Sequence, residues 1–134
     1  MISMTPDGDL GALFEPLIPV TDRATEVAVG RTGVFLQTQV KANASGRPGP
    51  RAPTGDYRRT IGLTVSRDVA GPFALVSTNA VQARRLEYGF IGVDALGRSY
   101  RQPPYPHWRP ALILVPAVFA RELDRALSAS GRTA

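Results

Sequence analysis

Between Ala83 and Ala111 the chain reads ARRLEYGFIGVDALGRSYRQPPYPHWRPA, and no single regular element accommodates it. Pro103, Pro104, Pro106 and Pro110 each fix a backbone angle and remove a main-chain donor. The stretch also holds three of the chain's four Tyr, its only Trp, its only His and five Arg. It is too irregular for one helix and too aromatic for a disordered linker. Prolines pin an extended path, and aromatic and Arg side chains along such a path suit contact with another surface. The stretch therefore reads as a structured recognition or assembly loop rather than a catalytic one. The elements on either side must be built around it.

With 134 residues the chain is read as a single domain, with a flexible amino-terminal arm over 1–19 and a globular body over 20–129. The absence of cysteine excludes disulfides, thiolate metal sites and thiol catalysis together, and fits a reducing compartment. The net charge is +5, and all the basic residues are Arg except Lys41. This balance allows a nucleic-acid partner, or a solvated surface paired to acidic neighbours. No run approaches the about 20 apolar residues of a membrane span. The longest candidate, Ala111 to Ala120, is bounded by Arg109 and Arg121. No basic region precedes an apolar core at the amino terminus, so a soluble protein made in a cytoplasm is expected, without membrane contact.

In the leader, Leu10, Leu13, Phe14 and Leu17 have the spacing of a short amphipathic turn limited by Pro16 and Pro19. It reads as a partly ordered arm or as an arm that docks on a neighbouring subunit. Thr21 to Ala44 is predicted as a long helix. The alternative is a hairpin turning across Gly30-Arg31-Thr32-Gly33. Ser45 to Thr54 is a basic Pro/Gly loop, either solvated or touching phosphates or an acidic surface. Thr54 to Ile61 reads as a helical turn, and Gly62 to Val69 and Phe73 to Thr78 as an antiparallel hairpin. Such a hairpin needs covering helices or a further strand, from Phe90 to Tyr100 or from another subunit. Asn79 to Tyr88 returns to a short helix ended by Gly89. Phe90 to Tyr100 is expected as a projecting loop or small hairpin turning at Asp94 to Gly97. From Pro110 a last helix carries Leu112, Val115, Phe119, Leu123 and Leu127 in a stripe, with Pro116 kinking it or splitting off a first turn. The fold class is therefore α+β: a long amino-terminal helix, a short antiparallel hairpin or sheet, a short helix, a projecting loop and a carboxy-terminal helix packed on the sheet.

Enzyme chemistry finds little to work with. His107 is the only imidazole, so neither a metal pair of histidines nor a base with an orienting partner stands out. The eleven carboxylates form no close pair or ligand run, and the glycines at 30, 33 and 46 are wrongly set for a phosphate loop. Glu87 ends an apolar turn and reads as an internal ion-pair partner for an Arg, Arg84 or Arg109. No catalytic residue, metal or cofactor is expected.

Four segments, in order, carry a family likeness: Thr54-Gly55-Asp56-Tyr57-Arg58-Arg59-Thr60-Ile61, Thr78-Asn79-Ala80, Leu86-Glu87-Tyr88-Gly89-Phe90, and Pro103-Pro104-Tyr105-Pro106-His107-Trp108-Arg109-Pro110-Ala111. Together they resemble the neck, head–tail joining or tail-completion proteins of long-tailed bacteriophages and related prophages, over about residues 21 to 128. Gln82 stands where an aromatic is common, and Ile91 to Gln102 is longer than in compact members. The resemblance implies a non-enzymatic virion component, assembled in the host cytoplasm and forming a homo-oligomeric ring, often six-fold, between head and tail. Its partners would be neighbouring connector and tail-tube proteins, with transient, non-specific contact with the DNA passing through. On this reading Phe90, Tyr100, Tyr105, Trp108 and Arg109 lie at the subunit interface, and Arg47, Arg51, Arg58 and Arg59 face phosphate in the lumen. The alternative is a small Arg-rich nucleic-acid-binding protein, adding Arg84, Arg85, Arg98 and Arg101 and stacking aromatics on bases.

Overall fold

A computed structural model describes residues 2–4, 18–51 and 53–131. In chain order they form β1 (Ile2–Met4), α1 (Ile18–Asn43), α2 (Asp56–Arg59), β2 (Gly62–Asp68), β3 (Gly71–Ser77), α3 (Ala83–Tyr88), β4 (Phe90–Val93), β5 (Ser99–Gln102) and α4 (Trp108–Gly131). The fold is α+β, with a long first helix, two small antiparallel sheets, a short helix and a long last helix.

Helix wins over hairpin in α1 because one side of it is needed whole. Ala24, Ala28, Val29, Thr32, Leu36, Val40 and Ala44 recur at three- and four-residue spacing and are all buried. The two glycines that suggest a turn are packing devices. A Cβ on Gly33 would sit 2.7 Å from the Ala74 Cβ and 2.9 Å from a Leu63 methyl, so the helix touches the sheet there through bare backbone. At Gly30 the nearest neighbour of such a Cβ is a Val65 methyl at 3.9 Å, an ordinary contact.

The sheet has the order β1-β3-β2, with Leu75 of β3 opposite both Ser3 and Thr64. The hairpin's third strand thus comes from Ile2–Met4, inside the stretch read as a loose leader, and not from Phe90–Tyr100 or another subunit. Three residues with no alternation are too short for a strand signal, and it is the partner strand that recruits them. The amphipathic turn expected over Leu10 to Leu17 lies outside the described residues. Central β3 buries Pro72, Ala74 and Val76 on its α1 side, whereas edge strand β2 is exposed except at Leu63. Phe90–Tyr100 enters a separate two-stranded sheet, β4–β5, with Ile91 opposite Arg101 and Val93 opposite Ser99.

Leu36, Val40 and Ala44 of α1 form the core with Tyr57, Ile61, Val76 and Ala111, and Trp108, Leu112 and Val115 pack against it. The last helix lies along α1, not on the sheet where the sequence reading placed it. It meets the strands only through the core at its amino-terminal end. It also runs unbroken through Pro116. That proline is exposed.

Gly33 and Gly30 separate packing from propensity. Alanine at either gains up to about 1 kcal/mol of helix propensity. At Gly33 the clash with a backbone-anchored Cβ outweighs this, and we expect Gly33→Ala to destabilise by about 1–2 kcal/mol. Gly30→Ala is expected to be neutral or stabilising. Urea denaturation of the two variants checks the sign of each.

Candidate functional site: a buried junction and the surfaces it holds

The first turn of any α-helix leaves its amino-terminal N–H groups without helical partners. At the start of α4 the His107 N–H is buried and those of Trp108 and Arg109 are part-buried, and no Ser, Thr, Asp or Asn stands between Pro103 and Arg109 to cap them. The side chain that does so comes from α3. Glu87 is 6% exposed, and its Oε1 accepts from the main-chain N–H of His107 (2.9 Å) and Trp108 (2.8 Å). Its Oε2 accepts from that of Arg109 (3.2 Å). The next residue, Pro110, has no N–H to satisfy. One carboxylate and one proline thus settle the whole helix end, and the negative charge sits where the helix dipole favours it.

This corrects the reading of Glu87. Arg109 gives it a main-chain N–H and not its guanidinium, which lies over the Tyr88 ring at 5.7 Å. Gly89 makes the placement of Glu87 possible. It ends α3 with φ +80, donates to the Arg85 carbonyl at 2.8 Å, and lets Gln102 and Pro104 approach to where a Cβ would clash.

His107, fully buried, is the second part of the junction. Its Nδ1 faces acceptors alone, the Tyr105 carbonyl at 3.0 Å and Glu87 Oε1 at 3.2 Å, so Nδ1 carries the proton. Nε2 is then left to accept from the Tyr57 hydroxyl at 2.6 Å, and that hydroxyl accepts from the Trp108 indole N–H at 3.3 Å. Burial holds the imidazole below its ordinary pKa, while the Tyr105 carbonyl and the Glu87 charge pull the other way. Burial likewise pushes the Tyr57 phenol up, opposed by the Trp108 hydrogen bond. Asn43, at the end of α1, donates to the His107 carbonyl at 3.1 Å, and the Tyr105 N–H donates to the Leu86 carbonyl at 2.6 Å. Thr60 and Thr78 join their hydroxyls at 2.6 Å alongside. The four separate segments singled out in the sequence therefore meet at one place. Glu87 and His107 hold backbone groups there, and the Tyr57 hydroxyl braces the His107 and Trp108 side chains.

The remaining candidate residues divide. Trp108 is half-buried in the junction, and Tyr105 is half-buried beneath the Arg47 guanidinium, 3.7 Å from its ring. Phe90 and Tyr100 stand apart on the β4–β5 arm, under Arg85 (4.0 Å) and near Arg98 (6.0 Å). The tip of the arm is organised by Asp94, which accepts from the N–H groups of Leu96 and Arg98, from the Arg98 guanidinium and from the Tyr100 hydroxyl. Arg98 holds that carboxyl below its usual range, chiefly through its backbone N–H. Of the four Arg assigned to phosphate, Arg59 pairs with Asp56, Arg58 donates to the Ser45 hydroxyl at 2.7 Å, and Arg47 donates to the Gly49 carbonyl at 3.0 Å. Arg51 is exposed. They share the loop end of the molecule, and Arg51 alone has no polar partner among the described residues.

Sequence reasoning missed Asn43, for which there was no signal, and the capping role of Glu87, for which there was one. A helix preceded by PPYPHWRPA has no local cap and must draw its acceptor from elsewhere. Among the described residues no group of three or more His, Cys, Asp or Glu could hold a metal, and no helix is long and apolar enough to cross a membrane. The chain matches no known family, no curated protein and no solved structure.

Two outcomes test the junction. Glu87→Ala strands buried donors, so we expect a loss of about 2–4 kcal/mol, whereas Arg109→Ala should cost under about 1 kcal/mol because its backbone makes the bond. Equal losses in denaturant titrations would restore the ion-pair reading. For His107, the folded pKa lies below the unfolded value of 6.5. In that window the unfolded chain binds a proton the folded chain does not, so its contribution is complete above 6.5 and drains away as pH falls. Thermal midpoints between about pH 7.5 and 5.5 should fall, and His107→Gln should flatten the slope, since no other His is present.

Proposed function

We propose that the chain is a structural subunit of the head–tail connector of a tailed bacteriophage, in a neck, tail-terminator or tail-completion position. On this reading it acts as a homo-oligomeric ring through which DNA passes. The observation that carries the reading is the convergence of the four family-like segments on the Glu87–His107–Tyr57 junction. Segments scattered over half the chain are expected to meet if they belong to one structural unit. Their polar side chains are spent on capping and cross-bracing, which suits a scaffold.

Exposed apolar surface supports self-assembly. The arm presents Ile91, Val93 and Leu96 to solvent, and the first half of α4 presents Ile113 and Leu114. Soluble monomers rarely leave several such clusters open. The positive charge is concentrated as well. Residues 44–110 hold ten Arg against four carboxylates, and the rest of the chain holds six basic against seven acidic residues. A ring with this end toward its channel would give DNA weak, sequence-independent contact through Arg47, Arg51, Arg58 and Arg59. The neighbours on either side would be other connector and tail-tube proteins.

Deleting the gene from its phage or prophage tests the class. We expect electron micrographs of the lysate to show filled heads and finished tails that stay unjoined. Intact, infectious particles would overturn the proposal. A salt titration of DNA binding separates the Arg-rich nucleic-acid-binding alternative, which requires tight binding that weakens steeply with salt.

A further inference from the structure

Two exposed stripes remain that nothing in the described chain covers. The first is on the arm. Ile91 (76% exposed) and Val93 share one side of the β4–β5 hairpin with Arg101, which lies directly across from Ile91, and Leu96 (78%) is exposed in the turn at the tip. The second is the outer face of α4. Ile113 (72% exposed), Ala117, Ala120 and Asp124 recur at four, seven and eleven residues, opposite the buried face of Ala111, Val118, Glu122 and Ala126. The arm stripe ends at Arg101, and the helix stripe runs from Arg109 to Asp124. Neither Arg101 nor Asp124 has a side-chain partner among the described residues.

We infer that the arm of one copy lies along the outer face of α4 of the next, with Arg101 paired to Asp124, Val93 over Ala120 and Leu96 near Ile113. The inference rests on the ring reading and specifies its contact. The spacings agree, since Ile91 to Val93 spans about 7 Å of strand and Asp124 to Ala120 about 6 Å of helix. The small Ala117 and Ala120 leave room for branched side chains to lie close to the helix. Charge favours the unlike pairing, because arm against helix joins Arg101 to Asp124, each unpartnered among the described residues, a pair that neither self-contact contains. A contact between unlike surfaces is head-to-tail, the kind that closes a ring and not a two-fold dimer. The Asp94-centred tip keeps the arm pre-shaped, so little order is lost on docking.

The chain has no cysteine, so introduced thiols report this contact alone. Val93→Cys and Ala120→Cys chains, mixed in equal amounts and oxidised, should give a mixed disulfide in excess over either homodimer. Adding Asp124→Arg to the Ala120→Cys chain should cut that product about tenfold, and Arg101→Glu on the Val93→Cys chain should restore it. Circular dichroism melts of each variant confirm that the fold is kept, as expected at exposed positions. Homodimers in equal or greater yield, or a charge swap without rescue, overturn the arm-to-helix contact. If the wild type still assembles by mass photometry in that case, the ring reading survives without this contact. If it neither assembles nor cross-links, both are overturned.

Discussion

A single carboxylate on a helix end organises this molecule. α4 starts beside the fully buried His107, and its first N–H groups have no local cap. Without an acceptor they would carry a desolvation cost comparable to a large share of a small domain's stability. Glu87 supplies the acceptor, and Pro110 removes the donor Glu87 cannot reach. The buried charge is compensated by three N–H dipoles and by the helix dipole, with no need of a counter-ion.

From that contact the rest of the fold follows outward. Glu87 can sit under α4 only if α3 ends beside it, and Gly89 ends α3 in a conformation that side chains resist. Gly89 also lets the returning strand and Pro104 pass close, which sets the root of the arm. His107, held from both ring nitrogens, ties the same helix end to Tyr57 and hence to the turn before the sheet. Asn43 ties it to the end of α1. α1, α3, α4 and the turn before the sheet therefore reach the same few atoms. The α1–sheet contact carries the Arg67 pairs with Asp22 and Glu26, the α1–α4 contact carries Arg31 with Glu122, and the buried polar junction adds a further fixed point to both.

Much of this architecture was legible, and for identifiable reasons. The helical spacing of Ala24, Ala28 and Val40, with the length of the run, was strong enough to overrule two glycines, although Val27 and Val34 of the same pattern are exposed. The alternation around Leu63 and Leu75 gave the hairpin, and Asp94 to Gly97 gave the turn of the arm. What stayed hidden depends on distant partners. β1 is a strand only because β3 lies beside it. The packing of α4 on α1 is a choice among apolar surfaces that periodicity does not make. Glu87 was singled out correctly as internal, yet its partners are backbone groups, which have no letter in a sequence. Trp108, read as an interface residue from its neighbours, is half-buried at home. The exposed apolar side chains lie on the arm and on the outer face of α4.

The role of Glu87 as the cap on α4 is tested most directly by hydrogen exchange at the main-chain amides of His107, Trp108 and Arg109. First-turn amides of a helix ordinarily exchange quickly, because water is their partner. Here all three are expected to exchange as slowly as amides in the middle of α4, and to become fast in a Glu87→Ala variant that still folds. Fast exchange of these amides in the native protein would contradict the junction and the architecture built outward from it.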